Sequence, residues 1–275
     1  MNKLKIKKVP ITFDEEKHAY TCTLNNELFT GVTTILNVRS KEFLKWWTVK
    51  MAVKYLGWFD PKEFNKKDGM EYLSSKLEKI KKFTPEKWYE ILTEAKNAHT
   101  KRSKEALVAG SIAHDWIESY IKGEKKDTPK DEKAASAIKA FLDWESQHKV
   151  EWLASELLVG SMIHKYAGTC DFVANIDGIL TLGDFKTSNQ ISEDVALQTA
   201  GYWLALDEML IKGAKRPEQR AVLRIPKDGK EFEYQRIDTD LEFDKEVFLH
   251  LREAHRWNIY IENNFTNNYK VNLQK

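Results

Sequence analysis

The dipeptide Asp177-Gly178 sits between two runs rich in apolar and β-branched residues, 168–176 and 179–186. That pattern is the strongest short-range signal for a tight β-hairpin. A two-residue loop also fixes the register, so residues whose numbers sum to 355 face one another across the pair. Asp171 and Asp184 meet that condition, which predicts two carboxylates on one face with Cβ atoms about 4.5–5.5 Å apart. Like charges so placed repel unless a cation neutralises them. Lys186, two residues beyond Asp184, falls on the same face because side chains alternate along a strand.

The remaining order of elements limits the fold. Alternating stretches at Ile11–Phe13 and Ala19–Thr23 flank the turn-like Asp14-Glu15-Glu16-Lys17 and predict a small N-terminal hairpin. From Thr33 to about Lys122 the pattern is helical. Breaks are expected near Gly57–Pro61, at Gly69 and at Thr84-Pro85, where Thr84 caps the helix that Pro85 starts. Helix resumes over about Lys130–Gln147, and strands follow at 155–164, 168–176 and 179–186. Ser192, with Glu193 and Asp194 behind it, opens a helix expected to run to Gly213. Strands near Ala221–Ile225 and Glu231–Ile237 precede a last helix from about Asp240 to Glu262. The sum is an α/β (α+β) fold, a mixed sheet flanked by helices, with a helical N-terminal half.

Composition excludes several functions. With 42% hydrophobic and 31% charged residues the chain reads as a soluble globular protein. The basic start MNKLKIKKVP leads into no apolar run of signal-peptide length, and no later stretch approaches a membrane span, so a cytoplasmic location and no membrane partner are expected. Cys22 and Cys170 are too few for a disulfide framework, a four-thiolate zinc site or an iron–sulfur cluster. No P-loop signature points to a nucleotide. The net charge of +2 does not itself indicate a nucleic-acid partner. Nine Lys or Arg against four Glu between Lys76 and Lys104 suit one better, although a solvated helix face explains that run equally.

Two acids and an ammonium group suit phosphodiester hydrolysis with an oxygen-ligated Mg2+ or Mn2+, Lys186 orienting the attacking water or offsetting charge in the transition state. A lone Asp-x-Lys is more often a solvated strand edge, and an Asp-Lys-Asp cluster can be plain surface pairing. Other residues add weight. His114 lies on a helix with the apolar stripe Ala113, Trp116, Ile117 and Tyr120, and offers a nitrogen ligand. Glu118, one turn on, is placed to hold its ring. A single histidine at a core boundary is otherwise just hydrogen-bonded there. Glu156 begins the strand before the hairpin and adds a further carboxylate, or faces outward from the strand end. Gln198 and Tyr202, four residues apart on one helix face, are placed to contact a DNA phosphate or the catalytic loop.

Taken in order, Gly110-Ser111-x-x-His114, Glu156, Gly168-Thr169-Cys170-Asp171, Asp184-Phe185-Lys186 and Gln198-x-x-x-Tyr202 resemble the RecB-like branch of the PD-(D/E)xK nuclease superfamily. The resemblance covers roughly residues 104–236. Gly31-Val32-Thr33-Thr34-Ile35-Leu36 followed by Trp46 is similar, more loosely, to the N-terminal part of phage-borne members. It implies a restriction-endonuclease-like core over 104–275, preceded by a hairpin and helical region over 1–103 that guides DNA and packs on the core. It also implies that His114, Asp171, Asp184 and the backbone carbonyl of Phe185 hold the metal and that Lys186 assists hydrolysis. The implied activity is that of an exonuclease acting on DNA ends in recombination, repair or phage DNA metabolism, with DNA and a recombination or repair protein as partners. Two features depart from the wider family: the first acid follows Gly-Thr-Cys and not proline, as in the RecB-like branch, and the cysteine cluster of the iron–sulfur members is absent. The competing expectation is a catalytically inactive DNA-binding or regulatory protein with the same fold. A purely structural or protein-binding module leaves the opposed acids unexplained.

Overall fold

The computed structural model describes residues 4–39, 42–56, 66–124, 126–188, 190–225 and 232–266. They form two compact units, one made of Met1–Arg39 with Gly110–Lys275 and the other of Ser40–Ala109. The first unit contains a mixed eight-stranded sheet flanked by helices. Its chain begins with β1 (Ile11–Asp14), β2 (Ala19–Cys22) and β3 (Leu28–Gly31), followed by the short α1 (Val32–Leu36). The second unit holds α2 (Glu42–Tyr55) and α3 (Lys66–Ile80), and α4 (Pro85–Ile121) contributes residues to both units. Then come α5 (Glu132–Gln147), β4 (Val150–Ser161), β5 (Tyr166–Ile176), β6 (Ile179–Lys186), α6 (Asp194–Met209), β7 (Gln219–Arg224), β8 (Glu233–Arg236) and α7 (Leu241–Ile261). Among the described residues no helix is long and apolar enough to cross a membrane.

Local chemistry sets the element boundaries. Asp177 and Gly178 both take positive φ, 52° and 91°, the conformation a type I′ turn requires. The turn therefore pairs Ile176 with Ile179 and, four steps on, Phe172 with Gly183. A Cβ on Gly183 would lie 2.0 Å from Cζ of Phe172, so the ring needs a glycine across the ladder. Three helix starts follow side-chain capping, whereas α6, expected to be capped by Ser192, starts after Glu193 with no side-chain cap bond. Thr84 Oγ1 accepts the Lys87 N–H, Asp131 accepts the Ala134 N–H, and Asp240 accepts from Glu242 and Phe243.

Strand β5 organises the site. One of its edges pairs with β4 along nearly its whole length. The other edge is shared: β3 runs parallel to its first residues, through Thr30↔Tyr166 and Gly31↔Ala167, whereas β6 runs antiparallel to Phe172–Ile176. Neither neighbour pairs with residues 168–171. The two faces of the sheet bury separate cores, as the period-two alternation of strands dictates. Val173 and Leu182 pack with Leu206 of α6 and Phe248 of α7, while Phe172, Ala174 and Phe185 pack with Ile117 of α4 and Phe141 of α5. Each such fully buried large apolar side chain contributes about 1.5–3 kcal/mol.

The structure corrects several boundaries. β4 starts at Val150 and ends at Ser161, not over 155–164, because Val150–Trp152 already pair with Ile176–Ala174. Gly69 does not break a helix but lies within α3. α6 stops at Met209, short of Gly213, where Leu210 leaves the helix to bridge Ile6. The break expected near Gly57–Pro61 and the strand start at Glu231 lie outside the described residues. The domain division also differs from a boundary after residue 103. β1–β3 are hydrogen-bonded into the same sheet as the later strands, so the N-terminal hairpin belongs with Gly110–Lys275, and the helical segment Ser40–Ala109 stands as its own unit.

Candidate active site

The register brings three carboxylates into one row. The pairs Ser155↔Phe172 and Leu157↔Cys170 bracket Glu156 opposite Asp171, and Asp184 follows Gly183, the partner of Phe172, on the next strand. The ladder between β5 and β6 ends one step before the expected Asp171–Asp184 pair. There the Asp171 carboxylate enters the gap, and its Oδ2 accepts the Phe185 N–H at 2.7 Å. The two acids are neighbours as predicted, but a side chain, not a continued backbone ladder, joins their strands.

Helices close the row from both faces. From α4, His114 places Nε2 3.4 Å from Glu156 Oε1 and 3.4 Å from Asp171 Oδ2. The ligand atoms of these three residues all lie within 4.8 Å of one another. On β6, Lys186 Nζ stands 2.6 Å from Asp184 Oδ2 and donates to Gln198 Oε1 at 2.9 Å. Gln198 on α6 returns its Nε2 to Asp184 Oδ1 at 2.7 Å and to the Tyr202 hydroxyl oxygen at 2.9 Å. Gly168 permits this packing, since a Cβ there would meet Tyr202 Cε1 at 2.6 Å.

The electrostatics are those of negative charge held out of water. Burial, then repulsion from Asp171, pushes the Asp184 carboxyl up to about 7, with Lys186 opposing the rise. Glu156 is likewise raised to about 7 by burial and by Asp171. Burial works against a charged His114, but Asp171, Glu156 and Asp184 outweigh it and lift the imidazole to about 9. The Lys186 ammonium is also held above its ordinary value, because the attraction of Asp184 and Asp171 exceeds the effect of its burial. Glu156 Oε1 and Asp184 Oδ2 are buried and accept no hydrogen bond. Lys186 approaches the latter as an ion pair outside hydrogen-bond geometry. Such atoms are costly unless a positive partner meets them. Carboxylate oxygens with one imidazole nitrogen make a donor set that fits Mg2+ or Mn2+.

Glu156 carries a further mark. Its φ is +48°, and it is the one described non-glycine residue with positive φ inside a strand; His18, Asn26, Lys165 and Asp177 lie in turns and loops. Left-handed backbone in such a residue costs about 1–3 kcal/mol and persists where surrounding structure enforces it.

The other expected residues fall differently. Glu118 pairs with Lys122 instead of holding the His114 ring, which meets Asp171 and Glu156. Gln198 and Tyr202 are buried: of the two contacts expected of them, Gln198 makes the one to the acid-lysine strand, bracing Asp184 and Lys186, and Tyr202 accepts from Gln198. Phe185 contributes its N–H to Asp171, and its ring packs against Phe172 in the core, with centroids 5.0 Å apart. Sequence reasoning missed Phe13, His18 and Tyr20, which line the same cavity as the acids, as does Thr169 of the Gly-Thr-Cys-Asp motif. The only signal for Phe13 and Tyr20 was the β-alternation of the first hairpin, and His18 in its turn had none. No protein-family model matches the chain and no curated protein matches its sequence.

Proposed function

We propose that the protein is a metal-dependent deoxyribonuclease that hydrolyses phosphodiester bonds, acting as an exonuclease on DNA ends. The observation that supports this reading is the row Glu156, Asp171 and Asp184, with two undonated buried oxygens, flanked by His114 on one side and Lys186 on the other. His114, Asp171, Asp184 and Glu156 are the residues that would hold the cation. When bound, Mg2+ or Mn2+ supplies Lewis acidity at the scissile phosphate and lowers the pKa of the attacking water. The protein supplies the rest. Gln198 fixes Asp184 and Lys186 relative to each other. Lys186 keeps its charge, and an ammonium held at that point offsets the negative charge that grows on the phosphate during attack. Phe185, through its N–H, sets the direction of the Asp171 carboxylate.

The test is incubation of end-labelled linear DNA and covalently closed circles with Mg2+ or Mn2+. Stepwise shortening of the linear substrate is expected, with circles left intact; cut circles would refute the exonuclease mode. Asp171→Asn and Lys186→Ala should each slow turnover about 10²–10⁴-fold. Wild-type rates in either variant would overturn the site assignment. DNA binding without cleavage in any divalent metal would favour the inactive, regulatory reading.

A further inference from the structure

The cavity above the acids has a second wall that the hydrolytic reading leaves unused. Its volume is about 280 Å3, and beside Asp171, Asp184 and Lys186 it is lined by Phe13, His18 and Tyr20 of the first hairpin. These rings form one cluster. Phe13 stands 4.6 Å from Tyr20, tilted by 32°, and 5.2 Å from His18 in an edge-to-face arrangement. Tyr20 is buried and anchored, its hydroxyl 3.2 Å from Thr169 Oγ1, two residues from Asp171. Phe13 is half-buried and His18 exposed. The hairpin tip is fixed by the Lys17 N–H donating to Asp14 Oδ1, and its sheet pairing through β2 and β3 ties it to β5.

Resting on the nuclease reading, we propose that this aromatic wall is a stacking platform for an unpaired base, and that the substrate is the single-stranded end of a DNA strand. Two observations carry this. Glu156 Oε1 and Asp184 Oδ2 are buried and accept no hydrogen bond, so a phosphate that meets a cation held by these acids enters the cavity and does not merely touch its rim. At about 280 Å3 the cavity falls just below the usual range of small-ligand sites, room for no more than one nucleotide and not for a stacked duplex. An unpaired nucleotide that puts its phosphate among the acids has its base within the same cavity, where the rings of Phe13 and His18 are part of the lining and Tyr20 ties the hairpin to Thr169. Base stacking on aromatic side chains tolerates any sequence, so the platform selects strandedness and not base identity.

The experiment uses the full chain and single-stranded oligonucleotides with 2-aminopurine at the terminal position, beside matched oligonucleotides that are abasic there and a blunt duplex. Stacking is expected to quench the fluorophore in the wild type. Phe13→Ala should abolish the quenching and raise KM about tenfold on the natural strand while leaving KM on the abasic strand unchanged. Phe13→Leu, which keeps apolar volume against the hairpin core but removes the ring, should behave like the alanine variant, and Phe13→Trp like the wild type. Equal effects on natural and abasic strands, unaltered quenching in both Phe13→Ala and Phe13→Leu, or equal cleavage of blunt duplex and single strand would overturn the platform. The two readings separate cleanly: cleavage without base dependence defeats the platform alone, and ring-dependent quenching without metal-dependent cleavage defeats the nuclease alone.

Discussion

Removing the charge of Asp184 should make the metal-free protein more stable, not less. The side chain is 2% exposed, and its carboxyl is raised from 3.8 to about 7 with the attraction of Lys186 already acting. An unfolded chain releases this proton near pH 4 and the folded one near 7. The stability linked to the protonated form is therefore fully present below about pH 4 and is lost as the pH climbs to about 7. Roughly three units at about 1.4 kcal/mol each give on the order of 4 kcal/mol by which ionised Asp184 destabilises the fold above that range. Asp184→Asn copies the protonated acid in shape and keeps an oxygen to accept from Gln198 Nε2. In EDTA at about pH 8 the variant should melt on the order of 10 °C above the wild type; at about pH 5 roughly half or more of that gap should have closed, and below about pH 4 the two should nearly coincide. Adding Mn2+ should raise the wild-type Tm and barely move that of the variant. Thermal melts followed by circular dichroism in the four conditions decide the matter. A variant that melts below the wild type in EDTA at the higher pH would refute the idea that the acids are held against their own repulsion.

The remaining predictions concern the same balance and its scaffold. Because His114 holds its proton to about 9, and Glu156 and Asp184 to about 7, Mn2+ binding near neutral pH should expel protons and tighten as pH rises. Calorimetry in two buffers of different ionisation enthalpy tests this, and identical heats would disprove it. Glu156→Gly relieves the +48° backbone and should stabilise the protein by about 1 kcal/mol in urea melts while cutting cleavage; loss of both properties would show that the strain is not local. Arg220 is buried and donates to Ala196 O, Thr239 and Asp244. Arg220→Ala, which strands Asp244, should cost about 3–5 kcal/mol, and a loss under about 1 kcal/mol in the same melts would place the network's worth elsewhere.

What the sequence disclosed was local. Asp177-Gly178 defined a turn, the turn defined a register, and the register brought Asp171, Asp184 and Lys186 to one place; the cap at Thr84 was equally readable. Glu156 was readable only as an acid near a strand start. Its alignment with Asp171 depends on the register shift between Trp152 and Ala154, and no residue pattern announces such a bulge. Glu118 was assigned by helical spacing to His114, yet Lys122, also one turn away, takes it. Spacing names the neighbours on a helix but not which of them wins. Gln198 and Tyr202 were recognised as a pair facing a DNA phosphate or the catalytic loop; that Gln198 meets Asp184 and Lys186 depends on the depth at which α6 packs against the sheet, which spacing does not give.

The feature least visible in sequence is the one that makes a site from these residues. β3 takes the first residues of β5 and β6 takes the last, on the same edge, and a parallel pairing across more than a hundred residues leaves no local trace. Had β6 continued along β5, the backbone of residues 168–171 would have been covered and Asp171 would have projected from one face only. With the ladder interrupted, the Asp171 carboxylate lies between the strands, where His114 reaches it from the side of α4 and where Asp184 is braced by Gln198 from the side of α6. The same interruption leaves Thr169 free to anchor Tyr20, so the first hairpin arrives beside the acids as a consequence of the sheet's branching. Extending β6 pairing along that edge would therefore remove the row of carboxylates and the aromatic wall together.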